Sequence, residues 1–346
     1  MFQIKRSAGV LILCTGLWWV AFVVEAHAGL FDRAAEWGIG LLLMGGMAGA
    51  AGCVQAVRRI KQGAFLKPAV ETKPVDVYEI LYATNREISA GSFTCELSET
   101  LRFGCCRISV PESHKYGSLG SPVYMRVVQQ LRTGSDDSLR IIEQENWPLS
   151  AGPAKFVDSV RKFLIETSDQ ILVYIHGFNV SFDGAVLRAA QIGFDLKVPG
   201  VMAAFCWASK GSAVAYPADE DTIKLSAQHL ADFLSLLHAN FPDRTINIMA
   251  HSMGNRALMD VLQNANQYPG LSGAKFGQIF LAAPDIDSRA FRKAATAYSQ
   301  LSARTTLYVC AADRALETSG IEHDNIRTGY CPPGNHRRRD RHDRSN

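Results

Sequence analysis

The chain has no Cys-x-x-Cys pair and no Cys/His cluster at zinc-ligand spacing, which leaves neither a structural zinc site nor a thioredoxin-like redox motif to be read from it. Its eight cysteines are scattered. Cys206 and Cys310 fall inside apolar strand patterns and are expected to be inert core thiols; one or two disulfides fit if the body lies outside the cytosol. Internal repeats are absent too, so a solenoid or propeller is excluded. There is also no basic surface signal in the body. The twelve residues from Asn335 to Asn346 hold five Arg and two Asp, enough to account for the whole formal net charge of +3. The remainder is neutral, and no nucleic-acid partner is expected.

Long apolar runs occur only at the amino end. Lys5 and Arg6 precede an apolar run from Ala8 to Val24, followed by Ala26-His27-Ala28, the basic, apolar and small-x-small order of a signal peptide. A second run, Trp37 to Val57, ends at Arg58-Arg59-Ile60-Lys61 and at about twenty residues is long enough to span a bilayer. Its glycines and alanines suit close helix contact in lipid. Three arrangements satisfy these features. A two-helix hairpin would keep the basic flanks and the body on the cytoplasmic side. A leader cleaved after Ala28 would leave the second run as an anchor. Lipidation at Cys53, in Ala50-Ala51-Gly52-Cys53, would hold the body on the far side. Each attaches the protein to a membrane. Residues 1–61 are therefore taken as a signal or transmembrane region, 62–75 as a linker, 76–334 as one catalytic body, and 335–346 as a basic disordered tail. A body of roughly 270 residues is large enough to bury a sizeable core.

Within the body, Val77 to Tyr82 reads as a first strand. Residues 87–150, rich in Ser, Gly and Arg, read as an irregular or antiparallel opening section with short strands at Arg107 to Val110 and Val123 to Val128. A regular alternation follows: helix Lys155 to Glu166, strand Gln170 to Ile175, helix Asp183 to Leu196, strand Val201 to Trp207, helix Asp219 to Asn240, strand from Thr245, helix from Asn255, strand Gln278 to Ala283, helix Ser288 to Ser302 and strand Thr305 to Ala311. Apolar strands alternating with helices predict an α/β fold with a mostly parallel sheet covered on both faces. Asp219-Glu220-Asp221 is expected to favour the dipole at the start of its helix.

The chemistry concentrates at Ala250-His251-Ser252-Met253-Gly254. A β-branched apolar strand ends there and an amphipathic helix begins, which is the strand–turn–helix context of a nucleophile elbow. Such a turn lifts the serine hydroxyl clear of the sheet. The residues two before and two after it must be small, as Ala250 and Gly254 are. Ser252 is the expected nucleophile. A serine needs a base to take its proton and a carboxylate to orient that base; Asp313 and Asp285, each following a strand, are the two candidates for the acid. The oxyanion hole needs two backbone N–H groups, expected from Met253 and from Phe178 after His176-Gly177. His176 and His251 read as structural. The histidines that follow Asp313 are His323, His336 and His342.

Tyr82-Ala-Thr-Asn-Arg86, Val173-Tyr-Ile-His-Gly-Phe-Asn-Val-Ser-Phe182, Phe205-Cys-Trp-Ala-Ser209, Ala250 to Arg256, Ala283-Pro-Asp285 and Asp313-Arg-Ala-Leu316 together resemble the bacterial α/β-hydrolase family of unknown function numbered 900. The resemblance covers about residues 76–330. It implies an α/β-hydrolase fold and a serine hydrolase with no metal or organic cofactor, and it supplies no substrate; acyl transfer to Ser252 leads us to expect a small-molecule or lipid ester, a thioester or an amide. Two departures stand out. Ala208 replaces the family's usual Pro. The further strand and Gly-His-Ser-Tyr-like motif that carry the family's histidine have no counterpart before the Arg-rich tail, so the sequence after Gly334 is expected to be a truncated or out-of-frame end. A hydrolase-fold binding module without activity is the alternative expectation.

Overall fold

A computed structural model describes residues 76–120, 137–166, 170–309 and 327–329. The chain divides into two compact units, 1–73 with 120–137, and 74–119 with 138–346; all the elements below belong to the second. Among the described residues no helix is long and apolar enough to cross a membrane. The two apolar runs at the amino end, Asp313, the three late histidines, Cys310 and Val123 to Val128 lie outside the described residues.

The strands are β1 (Asp76–Ser89), β2 (Ser92–Val110), β3 (Arg140–Asn146), β4 (Gln170–Ile175), β5 (Val201–Cys206), β6 (Thr245–His251), β7 (Phe276–Ala282) and β8 (Ser302–Tyr308). They form one eight-stranded sheet in the order β3-β2-β1-β5-β4-β6-β7-β8. β2 pairs antiparallel with β1 and β3. All other pairings are parallel, as the alternation with helices requires. The opening section is more regular than its composition suggests. β1 and β2 form a long hairpin, turned by Ala90 at φ 49° and Gly91 at φ 83°, the two successive positive φ values of a tight hairpin turn.

Among the described residues five α-helices cover the sheet: α1 (Gly152–Glu166), α2 (Phe182–Asp195), α3 (Tyr216–Asn240), α4 (Gly254–Gln263) and α5 (Ser288–Leu301). Side chains alternate across the strands with period two. Leu81, Ala83, Val173, Ile175, Ala203 and Phe205 join a core with residues of α1, α3, α4 and α5. Ile80, Tyr82, Leu172, Tyr174, Met202 and Ala204 face the other way, onto Phe182, Ala185, Val186, Ala189 and Ala190 of α2. Strands buried on both faces read as unbroken apolar runs, which is why β4 and β5 were legible at their true positions. Capping fixes two helix starts: Ser181 accepts from the Gly184 N–H ahead of α2, and Asp287 accepts from Arg289 and Ala290 ahead of α5. These hydrogen bonds, led by Arg289, pull the Asp287 carboxyl down to about 2.

Candidate active site

β4, β5, β6 and β7 run parallel, so their carboxyl ends and the loops that follow gather at one edge. Ser252 sits there, between β6 and α4. Its backbone is left-handed at φ 48°, a conformation that strains a non-glycine residue and persists only when the surroundings impose it. The surroundings are explicit. The Ser252 N–H donates to the Ala282 carbonyl at 2.9 Å, and the Ser252 carbonyl accepts from Asn255 N–H and Asp285 N–H, both at 3.2 Å. The buried Asn255 amide also donates to the carbonyls of Ala250 and Ser252, each at 3.0 Å.

Close packing explains the small residues of the turn. A Cβ on Gly254 would lie 2.4 Å from the His176 carbonyl oxygen and 3.0 Å from that of Ile175. A Cβ on Gly177 would lie 2.9 Å from both Ser252 Cβ and His251 Nδ1. The β4 loop therefore presses directly on the elbow, and Phe178 follows one residue later. Phe178 is half-buried, its ring edge-on to Tyr216 at 5.0 Å between centroids. Met253 opens α4 and is fully buried.

His176 has a structural setting. It is fully buried and stacks on Trp207 at 5.0 Å with 6° between the ring planes. Its Nδ1 lies 2.8 Å from the Gly177 carbonyl and its Nε2 3.1 Å from that of Trp207, while the indole N–H of Trp207 donates to the His176 carbonyl at 2.8 Å. Burial, assisted by the nearby Arg86 charge, pushes its pKa down to about 3. A ring neutral at every ordinary pH and held between two strand ends is placed as a wedge. Burial likewise raises the Cys206 thiol to about 12, in keeping with an inert core cysteine. Cys95, Cys105, Cys106 and Cys206 are unpaired.

Two ionic networks flank the elbow, and neither was read from the sequence as a network. On the β7 side, Asp285 is 2 % exposed. Its Oδ2 accepts from the Tyr216 hydroxyl at 2.5 Å and from Arg256 at 3.0 Å, and its Oδ1 lies 3.1 Å from Arg327 Nε. Arg256, two residues after Gly254 of the elbow, also donates to the Asp285 carbonyl at 2.7 Å, to Tyr216 at 2.8 Å and to Glu220. The segment at Arg327 is sewn onto the same loop: Asp287 and Arg327 form an antiparallel bridge, Thr328 N–H donates to Ile286 and Gly329 N–H to Pro284.

On the β4 side, Arg86 is 2 % exposed. It donates to the carbonyls of Val180 at 2.8 Å, Ser209 at 3.1 Å and Thr94 at 3.2 Å. Asp219, fully buried, accepts from the Ser209 hydroxyl at 2.6 Å, from Lys210 N–H at 2.7 Å and from Asn179 N–H at 3.3 Å. Its place in the first turn of α3 matches the dipole expectation, but its oxygens serve neighbouring loops rather than solvent. Thr84 donates to the Cys206 carbonyl at 2.5 Å and Asn85 to Ser226 at 2.9 Å, so the Thr84-Asn85-Arg86 run within β1 ties that strand to the end of β5, to α3 and, through Arg86, to the loops at Val180 and Ser209. A separate cavity of about 440 Å³, lined in part by Tyr78, Phe163, Pro199 and Met202, lies at the amino ends of β1 and β5, opposite the end that bears Ser252.

The sheet order, the strained serine between strand and helix, and the helices on both faces define the α/β-hydrolase class. The chain belongs to the family described as alpha/beta hydrolase of unknown function, DUF900, which matches residues 153–345. It is also similar to the uncharacterized protein alr1448 of Nostoc sp., at 24 % identity across 47 % of this chain and 57 % of that protein; the chain thus spans somewhat over half the length of this relative. No solved structure matches it.

Proposed function

We propose that the protein is a membrane-attached serine hydrolase that cleaves an ester, thioester or amide through an acyl-enzyme on Ser252. The observation that carries this reading is the left-handed Ser252 at φ 48°, on a strand-to-helix turn against which the β4 loop packs. Strain held in place by so many contacts is a property of nucleophile elbows. Ser252 Oγ would attack the carbonyl carbon and lose its proton to a histidine. The N–H groups of Met253 and Phe178 would hold the developing oxyanion. The leaving alcohol, thiol or amine would take the proton as its bond to carbon breaks, and water would then release the acyl group.

Of the two acids, Asp313 is the better candidate to orient the base. Both oxygens of Asp285 are already engaged by Tyr216, Arg256 and Arg327. A carboxylate so engaged is suited to holding the loop behind the elbow. Attachment to the membrane rests on the two apolar runs before residue 62.

A fluorophosphonate probe tests the reading: it should label the folded wild-type protein and leave Ser252→Ala unlabelled. Equal labelling of both would remove Ser252 from the chemistry. The second reading, a hydrolase-fold module that binds without turnover, draws on the engagement of both Asp285 oxygens by Tyr216, Arg256 and Arg327; it predicts that hydrolysis of a short-chain nitrophenyl ester by the wild type does not exceed that of Ser252→Ala.

A further inference from the structure

Resting on that reading, we infer that Asp219 is the positioning residue of the oxyanion loop: with Ser209 it sets the direction of the Phe178 N–H. The loop from Gly177 to Ser181 has no regular hydrogen bonding of its own. Its middle residue, Asn179, is left-handed at φ 57°, a conformation that asparagine tolerates, and the peptide planes on either side of it are held by an outside force. That force is one buried carboxylate and one hydroxyl. Asp219 Oδ2 accepts from Asn179 N–H at 3.3 Å and from the Ser209 hydroxyl at 2.6 Å; the same hydroxyl oxygen accepts from Val180 N–H at 3.1 Å. The two N–H groups after Phe178 are therefore both tied to the Asp219–Ser209 pair. Asp219 Oδ1 takes Lys210 N–H at 2.7 Å, which fixes the facing loop that carries Ser209. Arg86 closes the cage by donating to the carbonyls of Val180 and Ser209 at 2.8 and 3.1 Å. The Phe178 N–H itself donates to no described protein group, so it stays available to a ligand while its successors are fully used. Asp219 does not touch the reacting atoms; it acts through the backbone of residues 178–180.

The test uses the full chain with Asp219→Asn and Ser209→Ala. An Asn amide offers one acceptor oxygen where three donors now converge, and Ser209→Ala removes the acceptor of Val180 N–H, a longer acceptor contact with Gly211 N–H at 3.5 Å, and one donor to Asp219. Loss of an oxyanion donor typically lowers kcat about 10²–10³-fold. A donor that is misdirected rather than deleted should cost about 10–100-fold in kcat for a nitrophenyl ester, with KM changed less than about twofold. The inhibition constant of a trifluoromethyl ketone, which forms a tetrahedral oxyanion on serine, should rise in parallel with the fall in kcat/KM. The matching methyl ketone should bind as before. Wild-type kcat in both variants, or a lower kcat with an unchanged trifluoromethyl ketone constant, would overturn the inference. If Asp219→Asn does not fold, Ser209→Ala alone decides. If the wild type itself neither turns over ester nor takes the fluorophosphonate, the hydrolase reading fails. Amide hydrogen exchange then decides the anchor by itself: Asn179 and Val180 should be protected in the wild type and exchange at least tenfold faster in the variants, and equal rates would overturn it.

Discussion

Replacing Asp285 by Asn separates the two candidate acids, because the roles have different thermodynamic signatures. Asp285 and Arg327 are 2 % and 5 % exposed on their side chains, and Arg256 is 17 % exposed. Breaking a buried ion pair from one side costs about 3–5 kcal/mol, since a desolvated charge is left behind. The low end applies here: Arg256 keeps Glu220 as a partner, and the Asn amide keeps one acceptor for the Tyr216 hydroxyl. We expect about 3 kcal/mol of destabilisation, or roughly 6–12 °C in Tm for a domain of this size. Activity per folded molecule should fall by less than about tenfold. For Asp313→Asn the order reverses: Tm within about 2 °C of wild type, and kcat down by about 10⁴, the cost of mis-setting the histidine in a Ser–His–Asp triad. Thermal unfolding followed by circular dichroism, with ester turnover measured well below Tm, reads both quantities on one preparation. An Asp285→Asn protein that melts like wild type but turns over 10⁴-fold more slowly would refute the assignment and make Asp285 the orienting acid.

Gly254→Ala should destabilise by at least about 3 kcal/mol, at the top of the overpacking range, because its Cβ would fall 2.4 Å from the His176 carbonyl, a backbone atom with no rotamer to relax into. Gly152→Ala, whose Cβ would meet nothing closer than 3.5 Å, is the control and should stay within about 0.5 kcal/mol in urea unfolding; equal costs would dismiss close approach as the reason for glycine at the elbow. His176 predicts a pH effect. Its folded pKa is depressed to about 3 from the ordinary 6.5 of a free imidazole, so between those values the unfolded chain binds a proton that the native state does not. Stability should fall as pH drops below 6.5, by up to about 1.4 kcal/mol per unit from this residue, and the fall should be smaller in His176→Gln. An imidazole resonance from His176 titrating near 6.5 in the native protein would contradict its burial.

How far the sequence could be read depended on where each residue finds its partners. β4 is bounded by the same residues in the sequence reading and in the structure, Gln170–Ile175, and β6 begins at Thr245 as expected. Burial on both faces makes a strand a local signal. β2 was seen only as its last four residues, because one edge of this 19-residue strand alternates through exposed polar positions that resemble a loop when taken alone. The elbow was legible because its requirement is local: a strand, a serine, small residues at fixed offsets and a helix. The acids were another matter. Asp219 reads as a helix-start acid, but its acceptor role is set by donors nine, ten and forty residues away. Asp285 reads as a cap or a triad member; the arginines that occupy it, Arg256 and Arg327, come from a different helix and from a segment near the chain's end.

The two networks answer a common physical problem. A parallel sheet aims every βα loop toward one edge but gives those loops no ladder of their own, so their backbone polar groups must find partners elsewhere. Here buried arginines and carboxylates supply them. Arg86 takes up two loop carbonyls, Val180 and Ser209, and that of Thr94 on β2, Asp219 two loop N–H groups and a hydroxyl, and Arg256 the carbonyl of Asp285. Apolar side chains of similar volume would often stabilise a fold as well or better than buried ion pairs, so gross stability does not account for charges at these positions. Direction does. A hydrophobic contact fixes a distance loosely, whereas a carboxylate shared among three donors fixes the orientation of each peptide plane. The charges cluster on both sides of Ser252, where backbone orientation governs whether an N–H points at a reacting oxygen. The same logic ranks the substitutions: a change at Arg86 or Asp219 should disturb turnover more than its effect on Tm suggests, and a change at Asp285 or Arg327 should disturb Tm more than turnover.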